Sequence, residues 1–526
     1  MTDRPMTEAP APVVIDAAPL AVRDIVIIAR GARVVLGPGA VARIAASRAV
    51  VDSLVAGDEL IYGLNTGLGH MRNERVPLEI LEASQVVTVR VHAGGIGPPL
   101  PTEIVRAAMA VRVAGIARGG AGASPPIAET YVAMLNAGVH PVVPLVGSIG
   151  ASDLMHMAAI ALVAMGEGEA ELGGATVPGA EAMARAGIAP LRLAPKDGLT
   201  IISANGVSIG HAALVLDRAA RLADAADVVV ALSLEAARGN PSIVQPVVAA
   251  AKPVPGQILA ASRIRGLLAG SGLCADGAPQ SVQDPLSFRV APQVHGAFRE
   301  VVDFAARAVD TELAAMDDNP LVSVDDGRMI SNGNFHPMLL ALAVDAIRPA
   351  LAHVGQLSDR RTGQLWDRFV SDPEIFSPEA LDRIARYGSP LLRYAGAARA
   401  AELRTLADPA TLDVAQLDLG VEDHATMAPL AVRRTDEALG VAEDVLATEL
   451  LTASAAVGWR DEIRAEMGPW TRRALDLVVG ALARLGAGAS SAAVHRAACE
   501  LLGGPLRELA LAVDAEGGTP SESATP

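Results

Sequence analysis

The segment that decides the fold is Val146-Gly147-Ser148-Ile149-Gly150-Ala151-Ser152-Asp153-Leu154-Met155-His156-Met157. Before it, short β-branched pieces alternate with helical patterns and glycine-rich loops. After Asp153, alanine, leucine, valine and arginine recur at helical spacing. Stretches 214–238, 298–316 and 435–459 carry apolar residues at i, i+3, i+4 and i+7. The sequence therefore predicts a mainly α protein, a bundle of long helices with a smaller mixed N-terminal part.

The same change of pattern gives a division into regions. The two ends are rich in proline, threonine, serine or glycine and lack apolar periodicity. We predict a disordered N-terminal tail over 1–22 and a mixed region over 23–200, which carries the glycine-rich loop of Tyr62 and the Ala151-Ser152-Asp153 segment. A helical-bundle region over 201–514 and a disordered tail over 515–526 follow.

Composition restricts the classes of partner. The 526 residues carry a formal net charge of −16, which argues against a nucleic-acid surface. Hydrophobic residues make up 51% and charged residues 19%, which suggests apolar surface buried between subunits. Every apolar run is broken before the ~20 residues that span a bilayer. The N-terminus has no signal-peptide pattern, and two cysteines form no disulfide framework. We expect a cytoplasmic protein with no membrane partner.

Several polar clusters could carry chemistry, although each has an ordinary structural reading. Tyr62 lies among glycines at 63, 67 and 69, so it belongs either to a mobile loop that supplies an acid or base, or to a surface turn. His92 is by default a loop or core residue. Asn205 follows an apolar pair and is either a turn residue or an amide that positions a ligand.

Three further clusters lie between helical regions. Arg289, in the polar segment 283–289, either forms an interhelical salt bridge or holds a carboxylate in a bidentate fork. The segment 317–337 is a turn-rich excursion that is typical of functional loops but also of ordinary turns. Glu422-Asp423-His424 could grip a basic ring or a metal ion. Because no second histidine follows at i+4, we expect no metal.

Taken together, the order of these clusters is specific. The chain contains Tyr-Gly-x-Asn-Thr-Gly-x-Gly, His-Ala-x-Gly, Gly-Ser-x-Gly-Ala-Ser, Asn-Gly, Gln-Asp-Pro-x-Ser-x-Arg, Asp-Asn-Pro-Leu, Gly-Asn-Phe-His and Glu-Asp-His, in that order. This series resembles the histidine and aromatic amino-acid ammonia-lyase family from about Tyr62 to Met427. The resemblance implies a mostly helical homotetramer whose active sites draw residues from three subunits.

The resemblance also implies roles for individual residues. Tyr62 would remove the β-proton of a small amino-acid substrate, Asn205 would sit near its amino group, and Arg289 would clamp its carboxylate. Gln283, Asn334 and Phe335 would line the site. His92 and Glu422 fall where histidine-specific members contact the imidazole, so they favour an imidazole-bearing substrate.

The sequence departs from the family at two positions, one of which concerns the family's prosthetic group. In the family an internal Ala-Ser-Gly closes into 4-methylidene-imidazol-5-one. Here Ala151 and Ser152 are followed directly by Asp153, so one glycine is missing and the attacking nitrogen would belong to a residue with a Cβ. The resemblance makes the group possible from Ala151, Ser152 and Asp153, and the deletion puts it in doubt. In addition, Leu286 replaces a family tyrosine close to the reacting centre.

Three functions remain open on these grounds. The first is a carbon–nitrogen lyase that eliminates ammonia or an amine from histidine, or from a histidine-like aromatic α-amino acid, to give a urocanate-type acid. The second is a betaine lyase of the ergothionase type, which releases trimethylamine without the prosthetic group. The third is a non-catalytic homologue that binds an amino acid. The sequence leaves open the leaving group, the ring substituents and lyase against aminomutase chemistry.

Overall fold

The computed structural model describes residues 11–16, 18–371, 377–378, 386–412, 415–486 and 488–516. Long helices dominate it, which confirms the predicted mainly α class. The helices of the described residues are α1 Val22–Ala29, α2 Pro38–Leu54, α3 Leu81–His92, α4 Thr102–Ala117, α5 Pro125–Ala137, α6 Leu154–Ala164, α7 Gly179–Arg185, α8 Asp197–Ile202, α9 Gly206–Ala237, α10 Pro246–Ala251, α11 Pro255–Leu267, α12 Leu286–Arg289, α13 Ala291–Ala314, α14 Met338–Asp345, α15 Ile347–Val370, α16 Leu392–Thr405, α17 Ala428–Trp459, α18 Asp461–Glu466, α19 Pro469–Ala483, α20 Ser491–Gly503 and α21 Pro505–Glu516.

The strands of the described residues are short. Seven of them lie before residue 179, and two form a later hairpin. They are β1 Val13–Ile15, β2 Val34–Leu36, β3 Ile96–Pro99, β4 His140–Pro141, β5 Pro144–Val146, β6 Glu169–Leu172, β7 Ala175–Pro178, β8 Leu321–Ser323 and β9 Arg328–Ile330. β1 and β2 pair in parallel, with Val13 opposite Val34. The pairs β3–β5 and β8–β9 and the sheet β4–β6–β7 are antiparallel.

The chain forms two compact units, each built from three separate stretches. The first contains 1–217, 305–345 and 409–433, and the second contains 218–304, 346–408 and 434–526. This division differs from the predicted consecutive regions 23–200 and 201–514. Periodicity along the chain reports where helices occur, but it does not report where the chain returns to an earlier unit.

The core of the first unit is organised around α4, which is buried over most of its surface. It packs against α1, α2 and α5. Gly210 in α9 lets that helix approach closely, because a Cβ there would lie 2.8 Å from the carbonyl carbon of Ala107. Buried Arg112 is neutralised by Asp318, with Nη2 donating to Oδ1 at 2.8 Å.

The second unit contains buried ion pairs between its long helices. The Arg361 guanidinium in α15 binds both carboxylate oxygens of Glu449 in α17, at 2.5 and 2.9 Å. Asp227 in α9 accepts from Arg299 at 2.8 Å and pairs with His295 at 2.8 Å. Because an unpaired buried charge is costly, these pairs fix the helices in one arrangement.

The predicted tails require a correction at both ends. Val13–Ile15 forms β1, inside the predicted tail 1–22, and Ile15 is buried. At the other end α21 continues to Glu516, beyond the predicted boundary at 514. A three-residue strand is too short to show alternation in sequence, which explains the first difference. Residues 1–10 and 517–526 lie outside the described residues.

Within the described part of the chain, two helical stretches are long and apolar enough to cross a membrane by length and composition alone. In the stretch Asp197–Ala237, 94% of the most apolar window is buried within the chain. In Met338–Arg368 the corresponding share is 50%. Burial of this kind is typical of the core helices of a bundle.

Candidate active site

The loop between β5 and α6 holds Asp153 in a fully enclosed position in the first unit. Its carboxylate accepts hydrogen bonds from Ser148 Oγ at 2.9 Å, from the Ser208 N–H at 2.7 Å and from Ser208 Oγ at 3.0 Å. Its side chain is buried together with that of Ser152, whose φ is 61°. Asp153 also precedes α6, and its carbonyl oxygen accepts from the Met157 N–H.

The backbone nitrogen of Asp153 is also engaged. It donates a hydrogen bond of 2.8 Å to the carbonyl oxygen of Ala204. Closure of the family's ring would require this nitrogen to attack the carbonyl carbon of Ala151. That attack would break the bond to Ala204, crowd the Asp153 Cβ and pull a carboxylate out of three hydrogen bonds. Ala151, Ser152 and Asp153 therefore do not fit the cyclised group.

A second loop is tied directly to the Ala-Ser-Asp loop. Thr426 Oγ1 donates to the carbonyl oxygen of Gly150 at 2.8 Å, and the Met427 N–H donates to that of Ile149 at 2.9 Å. Gly150 has φ +78°, and a Cβ there would overlap Thr426 Oγ1 and lie 2.9 Å from the Ala428 nitrogen. The contact thus brings the segment that carries Glu422 to the loop that carries Ser152.

Tyr62, Asp418 and Glu422 lie close enough to interact electrostatically. The Tyr62 hydroxyl accepts a long hydrogen bond of 3.5 Å from the Gly69 N–H. Burial is the largest effect on the Tyr62 pKa and raises it, the Gly69 bond lowers it, and the carboxylates of Glu422 and Asp418 raise it further. Without substrate, Tyr62 is therefore a neutral phenol, whereas a role as base requires a lowered pKa.

His92 also acts on Glu422. Burial raises the pKa of Glu422, Asp418 adds to the increase, and His92 opposes it. His92 Nδ1 lies 2.7 Å from the carbonyl oxygen of Thr88, which can only accept. Nδ1 therefore carries the proton, and in the neutral ring Nε2 is the unprotonated nitrogen. In the first unit Glu422 thus lies within electrostatic reach of both Tyr62 and His92.

Asp418 is a member of this group that the sequence did not reveal. Its carboxylate accepts from the His70 N–H at 2.9 Å and lies 2.6 Å from His70 Nδ1. Asp418 and Leu419 have φ of 47° and 54°, in a turn closed by a bond of 2.8 Å from the Leu417 N–H to the Glu422 carbonyl oxygen. Asp418 therefore joins the turn that carries Glu422 to the loop that carries Tyr62.

Asn205 lies at the start of α9 and is fully buried. Its Nδ2 donates to the carbonyl oxygen of Phe335 at 2.9 Å. Its Oδ1 is buried and has no hydrogen-bond partner among the described residues. A buried acceptor of this kind is costly unless something else bonds to it. The amide is therefore suited to accept from a ligand.

The segment 331–337 meets the Glu422 segment through two histidines. His336 Nε2 lies 2.8 Å from His424 Nδ1, and the Phe335 ring packs edge-on against the His336 ring. Burial lowers the pKa of His336, and His424 lowers it further. Asn334 is exposed, and its N–H donates to Asn332 Oδ1 at 2.8 Å.

Gln283, Leu286 and Arg289 belong to the second unit. The Gln283 N–H donates to Ser281 Oγ at 3.2 Å, and the side chain is exposed. Leu286 begins α12 and is 59% exposed. Arg289 ends α12 half-buried, and among the described residues its guanidinium has no hydrogen-bond or ion-pair partner. Its alternative interpretation as an interhelical salt bridge therefore finds no partner there.

Comparisons with known proteins agree with this fold. A family model for aromatic amino acid lyases matches residues 20–479. A histidine ammonia-lyase from Gloeobacter violaceus is 39% identical over 476 residues, which cover 90% of this chain and 92% of that protein. One from Streptomyces griseus is 39% identical over 473 residues and covers 88% and 90%.

Solved structures are similar over nearly the whole chain. A histidine ammonia-lyase from Trypanosoma cruzi has a TM-score of 0.86 at 28% identity and covers 96% of each chain. The ergothioneine-degrading ergothionase from Treponema denticola has a TM-score of 0.85 at 27% identity, covering 95% of this chain and 99% of that one. The predicted resemblance is confirmed: the chain belongs to the aromatic amino acid lyase family and is a carbon–nitrogen lyase of the ammonia-lyase fold.

Proposed function

We propose that this protein eliminates ammonia or an amine from histidine, or from a histidine-like α-amino acid, and forms a urocanate-type α,β-unsaturated acid. The observation that carries the proposal is that Glu422 lies within electrostatic reach of both Tyr62 and His92, on a turn that the His70–Asp418 bond joins to the loop of Tyr62. A phenol, an imidazole and a carboxylate together can take a proton and hold a polar ring. The histidine ammonia-lyase relatives support the same substrate class.

The proposed elimination assigns each residue one task. Tyr62, as phenolate, takes the β-proton; the C–H electron pair forms the Cα=Cβ bond, and the Cα–N bond breaks with its electrons on nitrogen. His92 and Glu422 hold the imidazole. Asn205 Oδ1, which lacks a partner among the described residues, accepts from an N–H of the substrate's amino group. Arg289, which has no ion-pair partner among the described residues, clamps the substrate's carboxylate.

Three further residues line the proposed substrate site: Gln283, Asn334 and Phe335. The Asn205 side chain donates a hydrogen bond to the Phe335 carbonyl oxygen, so the Phe335 backbone lies beside the amide. Asn334 and Gln283 supply exposed amides that can bond to the substrate or to water. Their role is to orient the substrate rather than to move a proton.

The raised pKa of Tyr62 fits a substrate that carries a positive charge. Burial and two carboxylates keep the free phenol neutral. An ammonium group that enters the site would favour the phenolate, because an opposite charge nearby stabilises it. Substrate binding would in this way create the base that the reaction needs. A substrate without a positively charged group near the phenol would leave Tyr62 protonated.

We propose that the Ala151-Ser152-Asp153 segment stays uncyclised. The commitment of the Asp153 nitrogen and carboxylate to Ala204, Ser148 and Ser208 supports this. Without the electrophile, the protein must rely on the acidity of the β-proton and on the quality of the leaving group. Leu286 adds to the requirement, since it can neither donate a hydrogen bond nor transfer a proton.

The second candidate is therefore a lyase that releases trimethylamine from an imidazole betaine. A trimethylammonium group leaves more readily than ammonia and needs no electrophile. The ergothionase similarity and the engaged Asp153 nitrogen favour this candidate.

Supplying histidine, its trimethyl betaine and the thiol derivative of that betaine tests both functions. Urocanate-type absorbance with ammonia supports the first, and the same absorbance with trimethylamine supports the second. No conjugated product from any of them contradicts both.

We further propose a cytoplasmic homotetramer. The family resemblance implies active sites shared by three subunits, and apolar side chains remain exposed on the single chain, among them Val91 at 70% and Ile96 at 69%. Light scattering coupled to gel filtration tests the stoichiometry. A monomer at working concentration would contradict the assembly.

A further inference from the structure

Three metal-ligating side chains of different kinds meet in the second unit, in residues to which the lyase reaction assigns no role. His495 and Cys499 lie one turn apart on α20, and Asp444 lies on α17. Cys499 Sγ is 3.8 Å from Asp444 Oδ1 and 3.8 Å from His495 Nδ1. His495 Nδ1 is 3.9 Å from Asp444 Oδ1. The three ligand atoms form a nearly equilateral triangle.

The size of this triangle matches a transition-metal ion. A point equidistant from the corners of a triangle with sides of 3.8, 3.8 and 3.9 Å lies about 2.2 Å from each. Zinc prefers about 2.3 Å to thiolate sulfur, about 2.0–2.1 Å to imidazole nitrogen and about 2.0–2.2 Å to carboxylate oxygen. Movements of a few tenths of an ångström would therefore complete the coordination.

The histidine is already in the tautomer that a metal requires. His495 Nε2 lies 3.0 Å from the backbone carbonyl oxygen of Asp444, which can only accept, so Nε2 carries the proton. In the neutral ring Nδ1 is then unprotonated and faces the other two ligand atoms. A hydrogen bond from the second ring nitrogen to a backbone carbonyl is the usual support of a metal-bound histidine.

The carboxylate of Asp444 is divided between an arginine and the cysteine. Cys499 Sγ lies 3.8 Å from Asp444 Oδ1. Arg399 binds the other oxygen of Asp444, with Nε donating to Oδ2 at 2.6 Å, and leaves Oδ1 toward the sulfur. Arg399 therefore pairs with Asp444 through Oδ2, whereas Oδ1 is the oxygen that faces the other two ligand atoms.

We propose that Asp444, His495 and Cys499 bind one zinc-type divalent cation that links α17 to α20. The thiol, imidazole and carboxylate set is one that selects zinc among common divalent ions. The cation replaces the thiol proton, which is released to solvent, so that the S–H bond breaks and an S–metal bond forms. The side chains of Asp444 and His495 are 29% and 19% exposed, which leaves room for water as a fourth ligand.

The test is a titration of the untagged full-length protein with Co²⁺, followed by competition with Zn²⁺. A thiolate ligand gives a sulfur-to-cobalt charge-transfer band, which we expect at one ion per chain. Cys499→Ser should abolish the band and weaken Zn²⁺ binding at least tenfold. Cys274→Ser is the matched control, since Cys274 is free and exposed, and it should behave as the unaltered protein.

Thermal unfolding provides the second measurement. Saturating Zn²⁺ should raise the Tm of the unaltered protein and of Cys274→Ser, but not that of Cys499→Ser or His495→Gln. Equal Tm values of the variants and the unaltered protein without metal would show that the variants fold. A missing charge-transfer band, or a band that survives Cys499→Ser, would overturn the proposal.

Discussion

The backbone N–H of Asp153 donates a hydrogen bond of 2.8 Å to the carbonyl oxygen of Ala204. This bond fixes the one nitrogen whose attack on Ala151 would form the family's ring. Ser148 and Ser208 hold the carboxylate of the same residue, so the whole residue is committed to the fold. In the uncyclised loop that we propose, the missing glycine changes the role of the third position from reactant to structural anchor.

The first prediction follows from this anchor and concerns the intact mass. Mass spectrometry of the purified protein should give the full encoded mass, because cyclisation and dehydration do not occur. Ser152→Ala is the control, since it lacks the hydroxyl that dehydration removes, and it should also give its encoded mass. A deficit of two waters in the unaltered protein, absent from Ser152→Ala, would refute the uncyclised loop.

Glu422 should determine ring recognition. Glu422→Gln removes the charge that holds a protonatable ring, so kcat/KM for the imidazole substrate should fall by about 10–100-fold, the usual worth of a charged hydrogen bond. Exposed Glu79→Gln should leave it unchanged. Because burial raises the pKa of Glu422, its carboxylate becomes protonated at a higher pH than that of an ordinary glutamate. The acid limb of kcat/KM should therefore disappear in Glu422→Gln. Persistence of that limb would assign it to another group.

Gly150 should be required for the contact between its loop and Thr426. Gly150→Ala adds a Cβ that overlaps Thr426 Oγ1 at a φ of +78°, so the free energy of unfolding should fall by about 2–4 kcal/mol. Gly174→Ala is matched in backbone strain, with φ +82° and nothing within 4 Å. It should cost about 1–2 kcal/mol. Equal losses in urea denaturation would mean that the overlap contributes nothing.

Glu312 should make stability depend on pH. Burial and, next, the charge of Asp317 raise the pKa of Glu312 to about 7, so its folded value lies above its unfolded value. The folded state is therefore favoured while Glu312 is protonated at low pH. The free energy of unfolding falls as pH rises through about 7 and the buried carboxylate becomes charged. Glu312→Gln should stabilise the protein by about 1–3 kcal/mol near pH 8 and by much less near pH 5. A gain in the free energy of unfolding that is the same at both pH values would contradict this origin.

The sequence was sufficient for the fold and the family, whereas the roles of the motif residues stay predictions. Tyr62 and Glu422 are separated by most of the chain, yet their motifs identify them because the family order is specific. Asp418, His70 and Ser208 stand outside those motifs, and single polar residues in turns or helices carry no periodic signal. Their importance arises only when distant segments meet, as in the bond between His70 and Asp418.

The same limit applies to the second unit. Asp444 is separated by about fifty residues from His495 and Cys499, and the i, i+4 spacing of the last two is common in helices. Only the packing of α17 against α20 brings the three ligand atoms within 4 Å of each other. Likewise, the return of 305–345 and 409–433 to the first unit has no signature in local composition.

The most direct test of the account compares product formation by the unaltered protein, Tyr62→Phe and Tyr394→Phe. Tyr394 is 69% exposed and serves as the matched control. With histidine, its betaine and the thiol derivative as substrates, the unaltered protein and Tyr394→Phe should form a urocanate-type product at equal rates. Tyr62→Phe should lose about 10²–10⁴-fold in kcat/KM, the usual contribution of a general base. A fully active Tyr62→Phe, or binding of these compounds by the unaltered protein without any conjugated product, would contradict the account.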